Sequence, residues 1–281
     1  MSLDAGVRKF LKQTAEEVLK KADINEPPVK VGQIYEDEKL TKKILSPESL
    51  KNSGLLEHLT LAKIDQLRGV LFVPEQKVYV IDGSNYKKRH NFILAHELAH
   101  WVLPHHKMLL YQCTQFDLSR KARMQLEREA NFFASEFGFM GDLFSHYLHS
   151  SQLSVNNIRR LSDTFDLSVE ATLRRAVEIS EYPCAFRKMK LSEEGNGPRL
   201  FTVYAIHSES FKKKYGELTN SSSFDSEHGY FEVFEKLKQY GNNEVVESEV
   251  LFGSGSQKNE MNAEMWKNPF DFFVFLQPKE M

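Results

Sequence analysis

The sequence predicts an α+β protein in two parts: a helix-dominated N-terminal part holding one β-hairpin, and a β-rich part beginning near Pro183. Three observations predict it. Apolar residues recur at helical spacing over 5–22, 119–137 and 154–180. Two short β-branched runs flank Pro74-Glu75-Gln76-Lys77. After Pro183 the texture changes to strand-like runs divided by polar and Gly/Ser-rich stretches. The expected divisions are 1–150, a helical segment of helix-turn-helix appearance over 151–182, and a C-terminal α+β domain over 183–281.

Each element follows from local pattern. Val7, Phe10, Leu11, Ala15, Val18 and Leu19 give a first amphipathic helix, which Pro27-Pro28 stops. Val29 to Ile34 reads as a short strand or a helix start, and Ser46 to Leu61 as loop with short helices. Gly69 to Val73 and Val78 to Ile81 form the hairpin. Asp82 to Asn85 supplies a turn and helix caps, and a helix from Tyr86 to Leu103 ends at Pro104. A second long helix, Ser119 to Phe137, carries Leu126, Ala130, Phe133 and Phe137 as a core stripe, closed by Gly138 and Gly141. Ser154 and Ser168 are N-cap candidates for two further helices. Strands are expected at Leu200 to Ile206, Val245 to Phe252 and Phe270 to Leu276.

Composition narrows the function classes. The 281 residues are 41% hydrophobic and 27% charged, as in folded globular chains. The net charge of -2, from 37 basic and 39 acidic side chains, predicts no broad attraction to nucleic acid or anionic lipid. Cys113 and Cys184 form no CxxC pair, so they read as reduced, buried apolar residues. Met1 to Lys20 lacks the apolar centre of a secretory signal and no run is long enough to span a bilayer. A cytoplasmic protein is expected.

The chemistry concentrates in His96-Glu97-Leu98-Ala99-His100. Two histidines four apart share one helix face and can reach one tetrahedral Zn²⁺. Glu97, turned aside from ligation, can take a proton from the attacking water and pass it to a leaving amine. The flanking Leu94, Ala95, Leu98 and Trp101 make this a half-buried helix. A third ligand is needed, and Glu127 on the next long helix is the candidate, with Asn131 one turn on to orient a histidine. Glu129 competes, but at the helical period it points roughly 200° away from Glu127. His106 stands where a metzincin places its third histidine, but Leu103 occupies the position that motif reserves for glycine. His105, His106, Tyr111 and His146 remain as substrate or transition-state contacts, with His105 and His106 read as rim residues. Mn²⁺ is the alternative cation in the cell.

Residues 60–145 resemble the ImmA/IrrE family of bacterial metallopeptidases. The likeness is carried by Gly69-Val70, the Val78 to Ile81 strand, Asn91 to His100, and Glu127-Arg128-Glu129-Ala130-Asn131-Phe132-Phe133-Ala134. It implies a zincin-like fold, His96, His100 and Glu127 as zinc ligands, and Glu97 as general base. The chain has Phe139-Met140-Gly141 where the family usually has Leu-Met-Pro. The likeness further implies a narrow regulatory protease that cleaves an Xre-type helix-turn-helix repressor in stress response and transcription regulation. It also suggests a GAF-like sensor domain, with a small-molecule ligand, in the C-terminal part. Val78 to Ile81 would serve as an edge strand for an extended substrate.

Two rival classes stay open: a repressor-binding module whose zinc is not catalytic, and a DNA-binding regulator. The second would use Arg159, Arg160, Arg174 and Arg175 on phosphates, but Asp163, Asp166, Glu170 and Glu178 balance them and no basic footprint results.

Overall fold

The computed structural model describes residues 3–46, 48–49, 69–72, 77–81, 87–106, 120–192, 198–218, 223–224, 229–239, 244–252 and 259–279. The chain mixes helix and sheet and divides into two compact units. The first comprises Met1–Tyr147 with Leu161–Ser168; the second comprises Leu148–Arg160 with Val169–Met281.

In the first unit, α1 (Ala5–Lys21) starts where the Asp4 carboxylate accepts from the Gly6 amide. It buries Leu11, Ala15 and Leu19 at helical spacing and leaves Phe10 exposed. Then come α2 (Val31–Asp37) and β1 (Thr41–Leu45), followed by β2 (Gly69–Phe72) and β3 (Lys77–Ile81). The hairpin is present, antiparallel between β2 and β3, though its turn at 73–76 lies outside the described residues. β1 was not expected from the sequence. It pairs in parallel with β3, from Thr41 against Lys77 to Leu45 against Ile81. The strand order β1-β3-β2 puts β3 in the centre, which overturns the reading of Val78 to Ile81 as an edge strand. Among the described residues, β2 is an edge.

α3 (Lys87–Val102) and α4 (Arg120–Gly138) follow, with a helical turn at 104–106 between them. α3 stops at Pro104 as expected. Proline then opens the next turn, where its missing N–H costs nothing. The stripe of Ala130, Phe133, Ala134 and Phe137 on α4 meets Leu94, Leu98 and Ala99 of α3 and Leu11 and Ala15 of α1 in one core. α4 ends with Met140 at φ 54° and Gly141 at φ 55°, and the Gly141 amide bonds back to the Glu136 carbonyl. α5 (Asp142–His149) packs Phe144 against Phe139 and Phe165. Lys88 donates to Asp163 and Asn91 to Asp166, each at 2.6 Å, which fastens the start of α3 to 161–168.

α6 (Val155–Thr164) and α7 (Val169–Ile179) bound the helix-turn-helix-like segment, and Ser154 Oγ caps the Asn157 amide. The second unit is built on β4 (Ala185–Ser192), β5 (Arg199–His207), β6 (Ser223–Phe224), β7 (Val246–Phe252), β8 (Asn259–Lys267) and β9 (Phe272–Pro278). They form one antiparallel sheet in the order β6-β5-β4-β9-β8-β7. α8 (Glu209–Tyr215) and α9 (Gly229–Gln239) bring Phe211, Phe231, Phe234 and Leu237 to the same core as Met189, Met265 and Val274. Alternate strand residues Phe186, Tyr204, Trp266 and Phe273 stack together on the opposite face. α7 meets that face through Glu170, which accepts from Lys188 and the Tyr204 hydroxyl. Cys184 is fully buried and its thiol is pushed up to about 11 by burial, so it is inert at neutral pH. Cys113 lies outside the described residues.

Candidate metal centre

α3 is buried on nearly every side, so its polar residues must find partners inside the protein. His96 and His100, one turn apart, present ring centroids 5.0 Å from each other and Nε2 atoms 3.3 Å apart. α4 brings Glu127 to the same point. Its carboxylate oxygens lie 3.3 Å from His96 Nε2 and 3.8 Å from His100 Nε2. One donor atom from each of the three residues falls within 4.8 Å of the others. Asn131, one turn on from Glu127, accepts from His96 Nδ1 at 3.2 Å, so in the neutral ring the lone pair is on Nε2. Glu127 is the solvent-facing member, its side chain 60% exposed, so the cluster is open on that side.

The donor set fits a divalent cation. Two imidazole nitrogens and a carboxylate, all electron-pair donors, face one another with no cationic side chain between them among the described residues. That arrangement is repulsive without a proton or a metal to share, and His₂Glu is an established zinc combination. Electrostatics agree. Burial pulls the His96 imidazole down, but Glu127 and Glu97 together outweigh it and raise it overall. His100 is pushed down to about 3 by burial and by His96 and His106 beside it. The bond to His96 holds Glu127 below the usual carboxylate range.

Glu97 lies apart from the cluster and is buried. Burial raises its carboxyl to about 7, opposed by His96 and by an N–H bond from the Leu71 backbone on β2. The residue is therefore poised to exchange a proton near neutrality. Neither Leu71 nor Tyr35 is legible in the sequence. Tyr35 is buried, donates to the Leu94 carbonyl at 2.8 Å and is raised well above its ordinary value by burial and by Glu97. Both act through tertiary contact, and no spacing rule announces them.

The other candidates fall elsewhere. His106 is completely buried and so is not a rim residue. Its Nδ1 lies 2.9 Å from His100 Nδ1, and its Nε2 lies 3.0 Å from Glu129. His105 Nε2 lies 2.5 Å from the same Glu129 oxygen. His146 is exposed on α5 and belongs to neither His/Glu cluster. Tyr111 lies outside the described residues. Of the arginines read as phosphate contacts, Arg174 bonds to Glu178 at 3.3 Å and lies 5.4 Å over the Tyr204 ring. Arg159 is lowered by burial, with Glu244 and Glu264 opposing.

Among curated proteins no sequence matches this chain. A solved Mycobacterium tuberculosis transcriptional regulator aligns at a TM-score of 0.54 and 14% identity, covering 95% of this chain and 86% of that one. At that identity the likeness is one of fold. Among the described residues no helix is long and apolar enough to cross a membrane. Residues 59–177, which include α3, α4 and every residue of the His/Glu clusters, match the family described as the IrrE N-terminal-like domain. Over that segment the chain is similar to the ImmA/IrrE family of metallopeptidases.

Proposed function

We propose that the first unit is a zincin-like, zinc-dependent endopeptidase that cuts one specific cytoplasmic protein, an Xre-type helix-turn-helix repressor being the expected substrate. The observation that carries this reading is the convergence of His96, His100 and Glu127 beside a buried Glu97 whose carboxyl sits near 7. His96, His100 and Glu127 would hold the ion, with Asn131 fixing the ring of His96. Bound there, the cation would act as a Lewis acid that acidifies water and polarises the scissile carbonyl. Glu97 accepts a proton from the attacking water and returns it to the departing amine. The Leu71 amide holds Glu97 in place. β2 is an edge among the described residues, so an extended substrate can pair along it beside Leu71, whose own amide is taken by Glu97. A regulatory target is further supported by the similarly folded protein described as a transcriptional regulator.

The test is cleavage of the candidate repressor by purified protein with zinc measured alongside. Glu97→Gln is expected to retain zinc while cleavage falls by about 10²–10⁴-fold. Glu127→Ala is expected to lose the ion. A wild-type protein without stoichiometric zinc affinity, or an active Glu97→Gln variant, ends the proposal.

A further inference from the structure

The second His/Glu cluster is unused by the reaction just described, yet it touches it. Glu129 is buried and accepts from Gln125 Nε2 at 2.8 Å, from His105 Nε2 and from His106 Nε2. A carboxylate can only accept, so His106 carries its hydrogen on Nε2. A neutral imidazole has a single N–H, and here Glu129 takes it at Nε2. His106 Nδ1 is therefore a lone pair. It faces His100 Nδ1 at 2.9 Å, and a contact that short between two ring nitrogens requires one hydrogen between them. That hydrogen belongs to His100 Nδ1. The lone pair of His100 is thereby placed on Nε2, the atom that faces His96 and Glu127.

We infer that His106, held by Glu129, is a positioning residue that fixes the tautomer and ring orientation of His100. It does for His100 what Asn131 does for His96. The assignment rests on the metal-site reading for its purpose, but the tautomer is a property of the protein with or without the ion. Oriented ligands of this kind owe their affinity to such outer partners, whose removal typically weakens metal binding about 10–100-fold.

Histidine ring ¹⁵N NMR on the full metal-free chain reads the tautomer directly. Wild type is expected to show the hydrogen of His100 on Nδ1, and the opposite pattern overturns the inference whether or not any variant folds. In His106→Leu the His100 hydrogen is expected to move toward Nε2, His96 to stay unchanged, and zinc affinity to fall about 10–100-fold. His106→Asn sets a carbonyl oxygen where Nδ1 stood and is expected to restore both readouts. Equal losses in the two variants would make His106 a packing residue only and defeat the inference. So would two zinc ions per chain with one lost in His105→Ala, since the cluster would then be a cation site. If wild type fails to bind zinc, the peptidase reading falls while the tautomer measurement still decides this one.

Discussion

Two places in the protein bury charged groups on opposite terms. Around α3 and α4, His96, His100, His106 and Glu129 each turn a polar atom to another polar side chain, forming one connected set. In the second unit Arg187 lies inside the core face of the sheet, its guanidinium 4.9 Å over the Phe224 ring. Among the described residues its Nε and Nη1 atoms, like Thr202 Oγ1, have no hydrogen-bond partner. Burial alone therefore does not mark a working site. What separates the two regions is reciprocity: donors and acceptors that answer one another can hold a ligand in fixed geometry, whereas a lone buried cation only adds cost.

That contrast can be broken by experiment. The largest effect is expected from the aromatic face of the second unit, where Phe186 stacks 6.2 Å from Trp266 and 6.0 Å from Phe273. Phe186→Ala should cost about 3–5 kcal/mol in urea unfolding of that unit. Zinc affinity should stay at the wild-type value; a parallel loss of zinc would erase the distinction between a packing region and a binding region.

A smaller effect should appear at Glu97. Its carboxyl titrates at about 7 in the folded metal-free protein against an ordinary 4.5. Between those two values the native state binds more protons than the unfolded one, so stability falls as pH rises across that window and is level above it. Glu97→Gln removes this dependence. The metal-free variant should match wild type near the lower bound and exceed it by about 3.5 kcal/mol above the upper one, at about 1.4 kcal/mol per unit. Chemical denaturation over a pH series measures the gap, and a constant gap would mean that Glu97 is charged throughout.

The smallest effect concerns Arg187. Met keeps the apolar stem and removes the unanswered donors, so Arg187→Met should raise the unfolding free energy by about 1 kcal/mol. A marked destabilisation would show that the stacking over Phe224 matters more than the missing bonds.

The sequence reads unevenly against this structure, for physical reasons. Cap and stop residues located α3, and an apolar stripe located α4, each within a residue or two. The same helical wheel separated Glu127 from Glu129, and the two carboxylates do serve different histidine pairs. β1 escaped notice because Thr41-Lys42-Lys43 is polar and exposed, and only backbone pairing with β3 makes it a strand. That omission alone produced the wrong edge strand. His106 was misjudged because motif spacing reports distance along the chain, whereas its buried place comes with tertiary bonds to Glu129 on α4 and to His100 on α3.

The edge position of β2 among the described residues has a consequence for the proposed cleavage. A strand edge recruits a peptide only through amides and carbonyls that are not already satisfied at home. A folded helix or sheet in the target offers none, and a loosened connector offers many. Selectivity would then depend less on side-chain letters around the scissile bond than on how readily that stretch of the target comes undone, so the rate of cutting would track the local opening free energy of the target.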